Sequence, residues 1–519
     1  MTLTNSNERA AGVLLHVTSL PSEFGIGDMG PGAWAWIDRL SEAGQSWWQL
    51  LPLGPIGPGN SPYSPFSTFA GNVLLLSPER LAEEGLLSRA DCVCPDFPKN
   101  DVDFDAVSLF KLRLLDTAWQ NFSNDTDATL RTAFETFCQT QSSWLDDYAL
   151  LFALQQRYRF VSYLELPDEL LNRDPAAMAR SKLELADSID RCRFGQFLFF
   201  RQWNALRQYA GQKGVRLIGD LPFFVSANSA DVWSHPEIFL LDKQHKPTFV
   251  AGVPPDYFSD TGQLWGNPVY NWQALQKQGY RWWIQRIEAL LSLVDVIRLD
   301  HFRAFAAAWH VPTDATTAES GEWLPGPAAD FFEHMRSTLG RLPFVAEDLG
   351  LITDDVHELR DQFQLPGTRV LQFAFDGDPA NPFLTDNYPS NTVAYTGTHD
   401  NDTTRGWYES LDAEQLQIVQ KTLKDRKLAS NTIAPEFIRL VWSSQSTLAI
   451  APLQDILNLG TESKMNVPGT TDGNWQWRCT SQMLDQADWQ SLRDLTDRTG
   501  RLPSAHGDGD GDNSPLEVR

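Results

Sequence analysis

The sequence predicts an α/β protein built as a closed (β/α)8 TIM barrel. Eight short β-runs begin near residues 13, 47, 216, 294, 343, 369, 392 and 447. Most of them are separated by segments with helical periodicity, which is the inventory of a (β/α)8 barrel. The run near 294 is mostly β-branched and contains no Gly or Pro, as is typical of a parallel strand buried on both faces. A doubly wound open sheet is the alternative fold.

The first strand, helix and second strand follow one another at the start of the chain. GVLLHVTSLP (12–21) and SWWQLLPLGP (46–55) are short β-runs that end in Pro-containing turns. Trp34, Ile37 and Leu40 recur between them at helical spacing. We therefore expect this segment to form the first β-α-β unit of the barrel.

A Gly- and Pro-rich loop, residues 57–72, follows the second strand. It carries Tyr63, Phe66 and Phe69. Aromatic side chains on such a loop either fold back as a small cluster or face a ligand, and the pattern leaves both interpretations open.

Two insertions interrupt the barrel pattern. Residues from about 77 to 190 show helical periodicity without a strong β-run, which predicts a large, mostly helical insertion after the second strand. Residues 249–272 are rich in Pro, Gly and aromatics and are far longer than the usual connection of about 2 to 6 residues. We expect them to form a mobile lid at the carboxyl-terminal face of the barrel.

Four of the eight predicted strands end in acidic residues. Asp220, Asp300, Glu347 and Asp400 each follow an apolar run. In a closed barrel the carboxyl ends of the strands meet at one rim, where catalytic residues are assembled. The sequence therefore predicts a shared acidic site at that rim.

Such a site either binds a cation or shares protons unequally between its carboxyl groups. His301, His399 and Asp400 are candidate metal ligands by residue type. Two arginines in the RLDHFR run, however, flank Asp300 and would repel a metal ion. We therefore expect no metal and no other cofactor.

Without a metal, two of the carboxyl groups fit a retaining glycosidase. Arg298 would hold Asp300 ionised, while burial among aromatic neighbours would raise the pKa of Glu347. A nucleophilic carboxylate about 5 to 5.5 Å from a protonated carboxyl group is the arrangement that retaining glycosidases use. The chain also has 19 Trp, 11 Tyr and 30 Phe, some on loops near the acidic strand ends, and aromatic rings suit the apolar faces of sugars.

Composition limits the partners and the compartment. A formal charge of −25 repels nucleic acids and anionic membranes. Five cysteines without CxxC spacing favour free thiols in a reducing compartment, and cytoplasm is the expectation. No apolar run approaches a membrane span, and the N-terminal segment is too polar for a signal peptide. We expect one domain over residues 1–504 and a flexible acidic tail over 505–519.

Seven ordered motifs between about residues 12 and 478 resemble the amylomaltases, also called 4-α-glucanotransferases or disproportionating enzymes, of the α-amylase clan. The motifs are NSPYSPFS, IGDLPFFVS, PPDYFSDTGQLWGNP, IRLDHFRAF, FVAEDLG, YTGTHDNDT and KMNVPG. Together they extend over nearly the whole chain, so the resemblance is specific.

The resemblance implies a role for each catalytic candidate. Asp300 corresponds to the family's nucleophile, Glu347 to its acid/base and Asp400 to its transition-state stabiliser. It also implies a lid over residues 256–268 and sugar contacts from Tyr63, Asp220, Asp256, Trp265, Arg298, His301, His399 and Asn466. Lys464 stands where we expect Arg in the family, which puts one structural or distal contact in question.

The implied activity is transfer of an α-1,4-glucan segment to another sugar hydroxyl, with retention of configuration. The implied partners are maltooligosaccharides, starch or glycogen-type α-glucans, and glucose as acceptor, for a monomer or weak dimer. Two alternatives remain at this point: a hydrolase of the same bond, and a non-catalytic sugar-binding barrel. The second would be expected to have lost one of the three carboxylates, and all three are present.

Overall fold

The computed structural model describes residues 9–124, 127–159, 162–255, 260–428 and 432–503. The predicted tail, residues 505–519, lies outside these ranges. The described β-strands are β1 (Ala10–Leu14), β2 (Trp47–Gln49), β3 (Arg216–Leu221), β4 (Phe249–Val253), β5 (Gln263–Pro268), β6 (Val296–Leu299), β7 (Ala307–Pro312), β8 (Glu322–Pro325), β9 (Phe344–Ala346), β10 (Gly367–Val370), β11 (Thr392–Tyr395) and β12 (Leu448–Pro452).

Eight parallel strands form the barrel, in the order β10-β11-β12-β1-β2-β3-β6-β9. The two end strands meet: the Ala346 N–H donates to the Pro366 carbonyl at 2.8 Å, and the Thr368 hydroxyl donates to the Ala346 carbonyl at 2.9 Å. Every residue of β6 and β12 is buried, as expected for strands covered on both faces. All eight predicted strands are present, so the (β/α)8 barrel is confirmed and the open sheet is not found.

Helices surround the barrel and form most of the insertion. The described α-helices are α1 (Pro31–Glu42), α2 (Pro78–Glu83), α3 (Phe104–Asn124), α4 (Ala128–Thr140), α5 (Ser142–Tyr158), α6 (Asp168–Leu171), α7 (Pro175–Glu184), α8 (Ala186–Gln212), α9 (Ala230–Ser234), α10 (Trp272–Lys277), α11 (Arg281–Leu293), α12 (Ala328–Leu339), α13 (Asp354–Gln362), α14 (Thr404–Ser410), α15 (Ala413–Asp425), α16 (Ile433–Ser443), α17 (Leu453–Ile456), α18 (Ser481–Gln486) and α19 (Trp489–Arg498). Among the described helices, none is long and apolar enough to cross a membrane.

The helical insertion after β2 is confirmed, and α8 leads the chain back into β3. The insertion shares one buried core with the barrel. A buried ion pair also joins them: Lys111 of α3 contacts Asp28, in the segment after β1, at 2.9 Å, and donates to the Leu76 carbonyl at 2.6 Å. Because an unpaired charge at this depth would be destabilising, the pair fixes where the insertion packs.

The prediction that residues 249–272 form one long loop was wrong for residues 249–253 and 263–268. These form β4 and β5, which pair antiparallel and join β7 and β8 in a four-stranded sheet of order β5-β4-β7-β8. The strands β7 and β8 were not predicted either. The sheet is held together by pairing of β4 with β7, more than 50 residues further along the chain, as in Phe249 opposite Pro312. The composition of a short segment does not indicate pairing with a strand so far away in sequence.

Candidate active site

The four acidic strand ends lie at one rim of the barrel. Asp220 is the penultimate residue of β3, Asp300 follows β6, and Glu347 follows β9. Asp400 lies five residues beyond the end of β11. The structure therefore brings together the carboxylates that the sequence placed at the ends of separate strands.

Arg298, inside β6, links the acidic groups of two strands. It is opposite Asp220 in the β3-β6 register, and its Nη1 lies 2.8 Å from both Asp220 oxygens and 2.9 Å from Oδ1 of Asp300. The Tyr63 hydroxyl donates to Oδ2 of Asp220 at 2.8 Å. Burial raises the pKa of Asp220, and the Arg298 charge opposes that rise. Burial lowers the pKa of Arg298, but Asp220 and Asp300 outweigh it and leave the pKa well above its usual range.

Glu347 is positioned by two backbone N–H groups. His301 donates to its Oε2 at 2.8 Å, and Leu349 donates to its Oε1 at 3.0 Å. Burial raises the pKa of Glu347 to about 8; the Arg298 charge opposes the rise and the negative charge of Asp300 adds to it. At neutral pH this carboxyl group therefore keeps its proton and is suited to act as a general acid.

His301 lies in the turn that directly follows the nucleophile candidate, Asp300. Its φ of 51° is left-handed, an uncommon conformation for a residue with a side chain. The Trp265 ring meets the His301 ring edge to face, with centroids 4.9 Å apart. Burial lowers the pKa of His301 to about 4, so the ring is neutral at physiological pH.

Asp400 is held by two polar neighbours. The Asn466 amide donates to Oδ1 at 2.6 Å, and Nε2 of His399 lies 3.2 Å from Oδ2. The Tyr63 ring stacks on the buried His399 ring, with centroids 5.1 Å apart and 15° between the planes. The side chain of Asp400 is 44% exposed; partial burial raises its pKa, but His399 and Asn466 outweigh that effect and bring it to about 2. Burial lowers the pKa of His399, and the charge and hydrogen bond of Asp400 reverse the shift, so that the pKa is raised.

A family profile described as 4-alpha-glucanotransferase matches residues 15–484. This chain belongs to the 4-alpha-glucanotransferase family. It is 47% identical over 502 residues to the 4-alpha-glucanotransferase of Synechocystis sp., covering 95% of this chain and 98% of that one. It is 43% identical to the 4-alpha-glucanotransferase of Thermus thermophilus, covering 95% and 99% of the two chains. The fold matches the amylomaltase of Streptococcus agalactiae in complex with acarbose with a TM-score of 0.92, at 36% identity, over 96% of this chain and 100% of that one.

Of the sugar-contact candidates that family resemblance implied, seven are described and lie at this rim. They are Tyr63, Asp220, Trp265, Arg298, His301, His399 and Asn466. The remaining one, Asp256, lies outside the described residues, as do Tyr257 and Phe258. Trp265 lies on β5 with 39% of its surface exposed, so the small sheet brings an accessible aromatic ring to the site.

Sequence reasoning missed three residues that shape this site. The Trp475 ring lies 5.6 Å from Tyr63 and 6.0 Å from His399. Phe224 packs near both Trp265 and His301, and its position soon after a strand-ending Asp is a signal that could have identified it. No local pattern marks Trp475, which reaches the rim from the far end of the chain.

The third missed residue, Asp455, holds the loop that carries Asp400. It is buried after β12 and accepts hydrogen bonds from the Thr396 hydroxyl at 2.5 Å and from the Thr404 N–H and hydroxyl at 2.7 Å each. Thr396 and Thr404 are the two ends of the loop. Asp455 therefore fixes the loop at its base, away from the reacting groups.

No group of three or more metal-ligating side chains is present in the part of the chain that the structure describes. The acidic rim already contains a cation of its own, because Arg298 lies between Asp220 and Asp300. A divalent ion bound to these two carboxylates would meet the guanidinium.

Proposed function

We propose that this protein transfers a segment of an α-1,4-glucan to the 4-hydroxyl of glucose or of another α-glucan, by a retaining double displacement. The observation that carries the proposal is the pairing of Asp300, which accepts a hydrogen bond from Arg298, with Glu347, whose pKa of about 8 keeps it protonated. A nucleophilic carboxylate beside a protonated carboxyl group performs the first step of retaining chemistry.

In the first step the Asp300 carboxylate attacks the anomeric carbon of the donor glucan. The glycosidic C–O bond breaks as Glu347 gives its proton to the leaving oxygen. The leaving sugar departs with a free 4-hydroxyl, and the donor segment is left as an ester on Asp300. Negative charge on Asp300 is thereby lost, which removes one of the causes of the raised pKa of Glu347.

In the second step Glu347, now a carboxylate, removes the proton from the 4-hydroxyl of an acceptor sugar. The acceptor oxygen attacks the same carbon and releases Asp300 as a carboxylate. Two inversions at one carbon restore the α-configuration. Glu347 ends protonated, so the enzyme returns to its starting state.

The other residues of the rim bind the sugar and stabilise positive charge at the anomeric carbon. Asp400, with a pKa of about 2, is an anion throughout the cycle and is suited to an oxocarbenium-like transition state. Tyr63, which stacks on His399, offers a rigid aromatic wall for a sugar ring. Asp220 and Arg298 form an ion pair, and both side chains can still form hydrogen bonds with sugar hydroxyls.

Transfer requires that a sugar acceptor competes with water, which is present at about 55 M, for the ester on Asp300. The exposed Trp265 ring, fixed against His301, is suited to stack on an acceptor glucose. Water gains nothing from such a platform. The hydrolase alternative shares both carboxyl groups and differs only in this competition.

Maltotriose as sole substrate tests the proposal. Transfer yields glucose and longer maltooligosaccharides with an unchanged total of reducing ends, whereas hydrolysis adds one reducing end per bond cut. We expect the reducing-end count to stay constant while the chain-length distribution broadens. A count that rises with every cleavage would establish a hydrolase, and no product at all would favour a non-catalytic sugar-binding barrel.

We further propose maltooligosaccharides and starch or glycogen-type α-glucans as substrates, glucose as an acceptor, and a monomeric or weakly dimeric protein. The five cysteines are free, which supports a reducing compartment such as the cytoplasm. The core shared by barrel and insertion supports a single domain over residues 1–504. Residues 505–519 remain a proposed acidic tail.

A further inference from the structure

A small cavity of about 30 Å³ lies next to the loop that carries His399 and Asp400. Segments that follow β1, β11 and β12 contribute to its walls. Among its lining residues are His16, Leu51, His399, Asp402, Gln454 and Lys464. A cavity of this size accommodates a water molecule if polar groups line it.

Two buried histidines on this wall have a nitrogen without a partner. His16 is 6% exposed and His399 is 5% exposed. In the part of the chain that the structure describes, Nδ1 of each ring makes no hydrogen bond. Buried polar nitrogens are rarely left unpaired, so two of them beside one cavity point to a shared partner.

The protonation states of the two rings are complementary. His399, paired through Nε2 with Asp400, is a donor at both nitrogens when it is cationic. Burial, with a smaller contribution from the nearby charge of His399, lowers the pKa of His16 to about 3, so His16 is neutral and retains one acceptor nitrogen. A water molecule can accept from one ring and donate to the other.

We propose that His16 is a positioning residue for His399, acting through a water molecule that the cavity holds between the two Nδ1 atoms. The water accepts the Nδ1–H of His399 and donates to Nδ1 of His16. His399 is thereby fixed with Nε2–H toward Asp400. The consequence for catalysis rests on the proposed role of Asp400 as the transition-state stabiliser.

Several other charged or titratable groups lie around His399. Asp400 on its own loop, Arg298 on β6 and Asp220 on β3 act on its pKa. Tyr63 stacks on its ring, and Asp402 and Lys464 line the same cavity. His16 differs from these groups because it is neutral and because its buried Nδ1 has no hydrogen-bond partner within the described residues. Its effect is therefore exerted through a hydrogen bond rather than through charge.

The decisive variant is His16→Leu, which removes the acceptor and keeps an apolar side chain of moderate size. His310→Leu is the matched control: His310 is also buried, has an unpartnered Nδ1 within the described residues and a lowered pKa, but lies on β7 away from the cavity. His16→Gln, which keeps an amide acceptor, is the conservative rescue.

The first readout is the NMR titration of the His399 ring in the free protein, assigned by comparison with His399→Gln. We expect the His399 pKa to fall by about one unit in His16→Leu, to stay unchanged in His310→Leu, and to recover at least in part in His16→Gln. The second readout is a split between kinetic constants: kcat for transfer from maltotriose falls about tenfold in His16→Leu, while KM changes less than about twofold. An unchanged His399 titration in a folded His16→Leu protein would overturn the proposal.

A measurement on the unaltered protein covers the case in which His16→Leu does not fold. A crystal structure at atomic resolution should show a water molecule about 2.7 to 3.2 Å from both Nδ1 atoms. An empty cavity, or a protein group occupying its centre, would contradict the proposal. Neither the titration nor the crystal structure depends on catalysis, so a failure of the transferase assignment would be seen separately, in the reducing-end assay.

Discussion

The backbone N–H of His301 donates a hydrogen bond to Oε2 of Glu347 at 2.8 Å. Because His301 directly follows Asp300, one peptide unit ties the segment carrying the proposed nucleophile to the proposed acid/base. The bond comes from main chain rather than from a rotatable side chain, and the left-handed φ of 51° at His301 is the conformation in which it forms. The relative placement of the two carboxyl groups is therefore a property of the barrel rim itself.

Removing either reacting group should abolish transfer. We expect Asp300→Ala and Glu347→Gln each to lower the turnover of maltotriose by at least a thousandfold, about 1.4 kcal/mol for each factor of ten. Glu358→Gln, an exposed glutamate on α13, is the matched control and should keep wild-type turnover. More than about a tenth of wild-type activity in either site variant, a loss of under about 1.4 kcal/mol, would show that its role is wrongly assigned.

The raised pKa of Glu347 predicts the alkaline limit of activity. The acid form is required for the first step, so kcat/KM should fall as the pH rises through about 8. Because the Asp300 charge contributes to the raised pKa, Asp300→Asn should lower the pKa of Glu347, measured by NMR of its labelled side-chain carboxyl carbon. A Glu347 pKa that is unchanged or higher in this variant would contradict the electrostatic coupling.

The double displacement predicts retention of configuration. Proton NMR of the first products from maltotriose should show that every newly formed glycosidic linkage is α. A single displacement would give the β-form. Detection of a newly formed β-linkage would exclude an ester on Asp300.

Trp265 should govern the choice between sugar and water. We expect Trp265→Ala to raise the ratio of hydrolysis to transfer several-fold, since Asp300 and Glu347 stay in place while the acceptor platform is lost. Leu264→Ala is the matched control: Leu264 is adjacent in β5, equally exposed at 41%, and points to the opposite face of the strand. An equal ratio in wild type and Trp265→Ala would disprove the platform, not the transferase assignment.

Chelation should leave the reaction unaffected. Arg298 lies between Asp220 and Asp300 and supplies the positive charge at the rim, and no proposed step involves a metal ion. Prolonged dialysis against EDTA should change turnover by less than about twofold, a difference of under about 0.4 kcal/mol. Loss of activity that a single divalent ion restores would require a metal site.

The barrel and its acidic rim could be predicted because their signals are local. An apolar run of four to six residues that ends in Asp or Glu, as before Asp300 and Glu347, is visible in any short window of sequence. Once eight apolar runs are counted, four of them ending in an acidic residue, barrel closure alone brings those ends together. The helical insertion was equally visible, since its periodicity continues for more than a hundred residues.

The small sheet was missed because its strands form through pairing with one another and not through a local sequence signal. β4 is only five residues long and β5 contains both Gly266 and Pro268, so neither gives a strong strand signal in isolation. β4 pairs on one side with β5 and on the other with β7, which lies beyond the nucleophile segment. That pairing places Trp265 on a folded edge against His301, whereas composition alone placed it on a free lid.

The sequence by itself determined the barrel, the helical insertion and the identity of the carboxylates at the strand ends. Only the tertiary structure decided which further groups meet at the site: Asp220 opposite Arg298 across two strands, and His16 and Trp475 beside His399. The physical reason is that hydrophobic periodicity is a property of consecutive residues. Burial and electrostatic coupling depend instead on side chains up to about 460 residues apart in sequence, which meet only after the barrel has closed.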